Sequence, residues 1–281
     1  MNIPERPINA ESQCLGNAIA AVGSTHFPEC LAELIHQNSP YDRLFISSLY
    51  PHGPPEFLSS NLPEHPDVAS MESYLTASFL LDPFYQMYLD GVDAGVFRLG
   101  DCVPHDFFVG DYFLHFCQKF RLMDECAILV PSADGSCIFL STGYCDPSRL
   151  PQGGDTDGLV AIYPVIKALC QQHWPALSRG DGETTGQIRA HLNTAFQNFG
   201  STVLTPRERE VVHLILRGHS GKSLSQKLGI SLQTVKNHRK SIHAKLDITT
   251  QGELFSIFLS AVTESPVGSM NDPLEHYLRA S

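Results

Sequence analysis

The stretch Thr205-Pro206-Arg207-Glu208 constrains the fold of this chain more than any other. It opens a helix in three independent ways. Thr205 supplies an N-cap oxygen for the free backbone N–H groups, Pro206 suits the first helical position, and Glu208 completes a T-x-x-E capping box. Val211, Val212, Leu214, Ile215 and Leu216 then supply a core face, and Gly218 ends the helix. Ser220 caps a shorter second helix with Leu224 and Leu228 turned inward, and Gly229 allows a sharp turn. Ser231 caps a third helix that runs to about Leu246. Two short helices joined by a glycine-containing turn form a helix-turn-helix.

The third helix has two unlike faces. At about 100° per residue, Ile242 and Leu246 fall within about 20° of Val235, so these three face the core. Gln233, Asn237, Lys240 and Ala244 gather on the opposite side, with Lys236 beside them. Those are the side chains a major groove would meet. Lysine donates to guanine N7 and O6, and Asn or Gln pairs with adenine. His238 and Arg239 flank the core stripe and suit phosphate better than bases.

Charge agrees with this placement. Residues 1–200 hold 9 Lys+Arg against 23 Asp+Glu, whereas residues 201–264 hold 9 against 5. The chain is acidic overall, at −11, with one basic island. Double-stranded DNA is therefore expected to meet only the island. The eight cysteines, at 14, 30, 102, 117, 126, 137, 145 and 170, form no C-x-x-C pair. There is no basic-then-apolar leader, no apolar run of about 20 residues, and no metal-ligand spacing. The expectation is a cytoplasmic protein with reduced thiols, no cofactor, no metal and no membrane partner.

The first 200 residues alternate strands and helices. A helix is expected over 12–38, with Leu31, Leu34 and Ile35 inward. Strands are expected at Arg43–Tyr50 and Glu56–Asn61, around a turn at Pro51-His52-Gly53-Pro54. A helical stretch from Met71 to Asp90, broken at Pro83, precedes a short strand at Gly95–Gly100 and an aromatic helix at Phe107–Phe120. Cys126–Pro131 and Cys137–Thr142 read as a hairpin around Asp134-Gly135, and Leu159–His173 as the next helix. The fold class is α+β: an N-terminal α-β-α sandwich with an antiparallel sheet, then an all-α four-helix helix-turn-helix domain. The expected divisions are a sensing domain over 1–180, a connecting helix over 181–200, a DNA-binding domain over 201–264 and a tail over 265–281. Ile188, Leu192, Ala195, Phe196 and Phe199 recur at helical spacing in the connector.

Leu204-Thr205-Pro206-Arg207-Glu208-Arg209-Glu210, Lys222, Gly229-Ile230-Ser231, Thr234-Val235-Lys236, His238 and Lys245-Leu246 together resemble the LuxR/FixJ-type DNA-binding domain. The resemblance covers about 60 residues. It implies a fourth helix over Thr249–Val262, often used in dimerisation, for which Leu254, Phe255, Ile257, Phe258 and Leu259 are the apolar supply. It supports Lys236, Asn237 and Lys240 as groove-facing and places Lys222, Thr234 and His238 near the DNA backbone. Ser225 stands where the family usually has Ala. A homodimer, with RNA polymerase as a further partner, fits such a regulator.

The N-terminal order of elements resembles the autoinducer-binding or GAF-like domains of the same superfamily, not a phosphorylated receiver. Asp82-Pro83, with Phe97 fifteen residues after the Asp, resembles the acylhomoserine-lactone domain, although Ala69 and Ser73 stand where that family carries Trp and Tyr. Tyr74, Phe79, Phe84, Tyr85, Tyr88, Phe97, Tyr112 and Phe116 form an aromatic-rich set. They are either plain core or the wall of a pocket, with Asp82 as polar anchor or as turn former. The candidate effector site is Asp82 with Tyr74, Phe84, Tyr85 and Phe97. The expected function is a transcriptional regulator gated by a small molecule. One alternative replaces the molecule with a protein partner. A remoter alternative is an enzyme, for which the chain offers no G-x-S-x-G, P-loop, H-E-x-x-H or dinucleotide motif and no catalytic residue; Asp106 and Asp111 near His105 and His115 read as a solvated edge.

Overall fold

A computed structural model of the chain describes residues 10–50, 53–61, 74–75, 78–103, 107, 124–144, 154–175, 194–266 and 268–275. The expected helix over 12–38 is two helices, α1 (Ala10–Ala21) and α2 (Phe27–Gln37). Gly23, at φ +81°, turns the chain after α1, and Pro28 then starts α2 where a missing N–H costs nothing. Strands β1 (Arg43–Tyr50) and β2 (Gly53–Ser60) pair antiparallel, with β2 starting three residues earlier than its sequence suggests.

A 3-10 turn at Ser78–Leu81 leads into α3 (Pro83–Leu89), so Pro83 opens a helix and does not break one. Strand β3 (Gly95–Arg98) and the single-turn helix α4 (Leu99–Cys102) follow. The expected helix over Phe107–Phe120 lies outside the described residues, apart from Phe107. The hairpin is β4 (Asp124–Pro131) and β5 (Cys137–Tyr144), each two residues longer than expected at one end. Asp134 closes its loop by accepting from the Ser136 amide and hydroxyl. Helix α5 (Asp157–His173) ends the N-terminal part.

The sheet has the order β2-β1-β5-β4-β3 and is antiparallel throughout. Alternation along the strands divides the core in two. Leu44, Ile46, Cys126, Ile128, Ile138 and Leu140 face a layer that includes residues of α1, α2 and α5. Phe45, Leu49, Ala127, Leu129, Cys137 and Phe139 face the other layer, which includes the 3-10 turn and α3. This is the expected α-β-α sandwich. Among the described residues no helix is long and apolar enough to cross a membrane.

The C-terminal part contains a helical turn at 194–198, then α6 (Pro206–Leu216), α7 (Gly221–Leu228), α8 (Leu232–Leu246) and α9 (Gln251–Glu264). Phe196 and Phe199 meet the ring of Phe258 edge-on, with centroids 5.5 and 5.3 Å apart. Phe196 also stacks on His213, and the Arg217 guanidinium lies over the Phe196 ring at 5.4 Å from its centroid. The end of the connector thus packs on α6 and α9. The chain after α9 folds back: buried Asp272 accepts from the backbone N–H groups of Gly200 and Thr202, from the Thr202 hydroxyl and from the Leu274 amide.

Candidate functional site

Helix α8 is held by caps and by one buried acid. The Ser231 hydroxyl accepts from the Thr234 amide at 3.0 Å. Gly229, at φ +63°, makes the turn from α7, and the Ser225 hydroxyl donates to the Ile230 carbonyl across it. The side chain that departs from the family's usual Ala therefore staples the turn. Glu208, in the first turn of α6, accepts from the Thr205 amide at 2.8 Å, as its capping box requires. It also accepts from Ser241 at 2.7 Å and Lys245 at 2.6 Å, both on α8. One carboxylate thus sets the helix start and clamps α8 against α6.

The two faces of α8 separate as the spacing requires. Val235, Ile242 and Leu246 are buried, whereas Gln233, Lys236, Asn237 and Lys240 are exposed. Gln233 donates to Asn237 at 3.1 Å, which aligns two amides on the outer face. Lys222 is exposed in the first turn of α7, and Thr234 and His238 are half-buried at the margin. Arg239 is placed differently from the others, because its guanidinium donates to the buried Gln251 at the start of α9. Leu232 was not anticipated. It is 51% exposed directly after the N-cap, where it can meet a thymine methyl. Its signal in the sequence is an apolar residue outside the Val235 stripe.

On α9, Leu254, Phe255 and Phe258 are buried in the module's own core, leaving Ile257 and Leu259 half-buried. Most of the apolar supply expected for dimerisation is used inside one chain.

In the N-terminal unit, both carboxylate oxygens of Asp82 are engaged within the protein. One oxygen caps α3 by accepting from the Phe84 amide at 2.8 Å, and the other accepts from the Tyr74 hydroxyl at 2.7 Å. Burial pushes its carboxyl above the usual range, against those hydrogen bonds. Tyr74, Phe84 and Tyr85 are buried around it, and half-buried Phe97 stands on β3. Phe45 meets Tyr74 edge-on at 5.8 Å, and Phe79 meets Tyr85 likewise at 4.9 Å. Ala69, Ser73, Tyr112 and Phe116 lie outside the described residues, as do His105, Asp106, Asp111 and His115.

Sequence reasoning missed Glu125 on β4. It is half-buried and accepts from Ser141 of β5 at 2.6 Å. Burial pushes its carboxyl up, and the charge of Asp82 pushes it further, so the two acids share a field. Asp124 and Glu125 extend β4 beyond its expected start at Cys126, and two acids in succession carry no apolar strand signal.

Residues 202–258 match the family model described as bacterial regulatory proteins, luxR family. The chain is 31% identical over 197 residues to a protein of Aeromonas salmonicida named as the HTH-type transcriptional regulator in the exeN 3′ region; the match covers 68% of this chain and 100% of that protein. It is 44% identical over 69 residues to the transcriptional regulatory protein MctR of Rhizobium johnstonii, which covers 25% of this chain and 32% of MctR. Among solved structures, the LBD domain of VqsR from Pseudomonas aeruginosa superposes with a TM-score of 0.50 at 26% identity, over 59% of this chain and 97% of that domain.

Proposed function

The chain belongs to the luxR family of bacterial regulatory proteins, and we propose that its hold on duplex DNA is gated by a small molecule in the N-terminal α-β-α unit. That it is a DNA-binding transcriptional regulator follows from the family. The finer reading assigns α8 to the major groove. It rests on one observation: a helix with Val235, Ile242 and Leu246 buried carries Gln233, Lys236, Asn237 and Lys240 exposed on its other side. Lys222, Thr234 and His238 are proposed to sit against the DNA backbone, with Arg239 held on Gln251 beside them.

The gating half is supported by the likeness to the VqsR LBD domain and by the polar group at Asp82 and Tyr74 within an aromatic layer. The proposed divisions are a sensing unit over 1–180, a connector over 181–200, the DNA-binding unit over 201–264 and a tail. A homodimer would present two copies of α8 to two half-sites.

The test is selection of duplexes from a random library by the full-length protein, followed by fluorescence anisotropy on the selected sequence. Lys236→Ala and Lys240→Ala are each expected to cost about 1–3 kcal/mol per lost base contact and to relax preference at one or two positions. Unchanged affinity and preference in both variants would remove the assignment of α8.

A further inference from the structure

The start of α8 carries one apolar side chain that the fold does not use. An apolar residue beside an N-cap ordinarily belongs to a hydrophobic staple, which joins the residue before the cap to the fourth residue of the helix. Here those positions are Ile230 and Val235, and both pack in the core that contains the C-terminal module. Leu232, the first residue after the Ser231 cap, packs in neither core and is 51% exposed. Among the described residues of 201–264 it is the one exposed large apolar side chain. A Lys, Gln or Glu would form the helix equally well and keep this surface polar.

Its position relates Leu232 to the groove face. Counted from Val235 at about 100° per residue, Leu232, Lys236 and Lys240 lie at about 60°, 100° and 140°. The three form one i, i+4 ridge on the outer side of α8. Gln233 and Asn237, joined by their hydrogen bond, form the ridge beside it. The bond from Cα to Cβ tilts toward a helix's N-terminus, so Leu232 projects past the start of α8. In a helix-turn-helix, the N-terminal residues of the second helix are the ones that meet base edges. An isobutyl group offers a base or a phosphate no donor and no acceptor. The apolar group on a major-groove edge is the C5-methyl of thymine.

We propose that Leu232 is a specificity-determining residue, which packs on a thymine methyl close to the bases met by Lys236. The inference rests on the reading of α8 as the helix in the major groove. Four residues of helix advance about 6 Å, or roughly two base pairs at about 3.4 Å each. The thymine therefore lies within about two base pairs of the position that Lys236 reads. Removing one methyl group from water against Leu232 contributes a factor of about four in affinity.

The test titrates the full-length protein, by fluorescence anisotropy, against its selected duplex and against duplexes in which each thymine in turn is replaced by deoxyuridine. Deoxyuridine lacks the methyl group and keeps every hydrogen-bonding atom of the base. One such replacement, within about two base pairs of the position at which Lys236→Ala relaxes preference, is expected to weaken binding about fourfold. Leu232→Ala is expected to bind the thymine duplex at least about fourfold more weakly and to make no distinction between thymine and uracil there. Leu232→Met, which keeps the apolar volume, is expected to retain the distinction. The thermal midpoint is expected to stay unchanged in both variants, because the side chain lies outside the cores. A discrimination that persists in Leu232→Ala, or a selected site with no thymine whose replacement weakens binding, overturns the assignment. In either case, relaxed preference in Lys236→Ala or Lys240→Ala leaves α8 in the groove, whereas unchanged preference in both removes the groove reading together with the role of Leu232.

Discussion

Burial alone would raise the Glu208 carboxyl, yet hydrogen bonds from Lys245, Ser241 and the Thr205 amide and hydroxyl hold it down at about 2, below its ordinary 4.5. A carboxyl depressed in the folded state stabilises at pH values above its unfolded pKa, and that stabilisation is lost as pH falls through the folded pKa. The stability gap between the protein and Glu208→Gln is thus expected to be constant above about pH 5.5 and to shrink through the window from 4.5 toward about 2. At neutral pH the gap should be about 1–3 kcal/mol, the scale of hydrogen bonds to a charged group. Thermal melts of both proteins across that range test it, and a gap that persists unchanged at pH 2.5 would show that Glu208 acts through packing and not through charge. The capping role of Glu208 was legible, because T-x-x-E is local. Its grip on Ser241 and Lys245 was not, because those partners lie 33 and 37 residues away and only packing of α6 on α8 brings them near.

At the scale of elements, two junctions depend on single residues. Gly158, in the first turn of α5, abuts the Asn38 carbonyl at the end of α2, and a methyl group there would collide with backbone. Gly158→Ala is expected to destabilise the protein by about 1–3 kcal/mol, as overpacking does when neither partner can swing away. The second junction is the tail. Asp272→Ala removes the acceptor for three backbone amides and the Thr202 hydroxyl, so a loss of about 2–4 kcal/mol is expected in chemical denaturation. A loss under about 0.5 kcal/mol in the second variant would mean that the tail merely rests on the module. The helices of the C-terminal module were readable from caps and apolar spacing, since each carries its own start and stop. The break between α1 and α2 is marked in the sequence by Gly23, Ser24, Thr25 and Pro28, turn and helix-start signals lying between two helical stretches. The tail had no periodicity to read, because Asp272 acts on a loop some 70 residues earlier in the chain.

For the whole molecule, the separation of charge makes salt dependence informative about assembly. The N-terminal 200 residues carry an excess of 14 acidic side chains by their 23 against 9, so phosphate contact is confined to the basic module. Within it, Lys222 and Arg239 are the charged side chains proposed for the DNA backbone, whereas Lys236 and Lys240 are proposed for bases and Lys245 is paired with Glu208. Each phosphate neutralised releases condensed counterion and contributes about 0.9 to the slope of log K against log salt. Two such contacts on one module therefore give a slope of roughly −2, and two modules bound together give roughly −4. Anisotropy titrations of the full-length protein on its selected duplex, from about 50 to 200 mM salt, measure that slope directly. A value near −4 that falls toward about −2 in Lys222→Ala is expected, since a dimer loses the same lysine twice. A slope near −2 for the unaltered protein on a symmetric duplex would exclude two modules engaged at once. That outcome would agree with α9, whose Leu254, Phe255 and Phe258 are already committed to the core of one chain, and it would place any dimer contact on another surface.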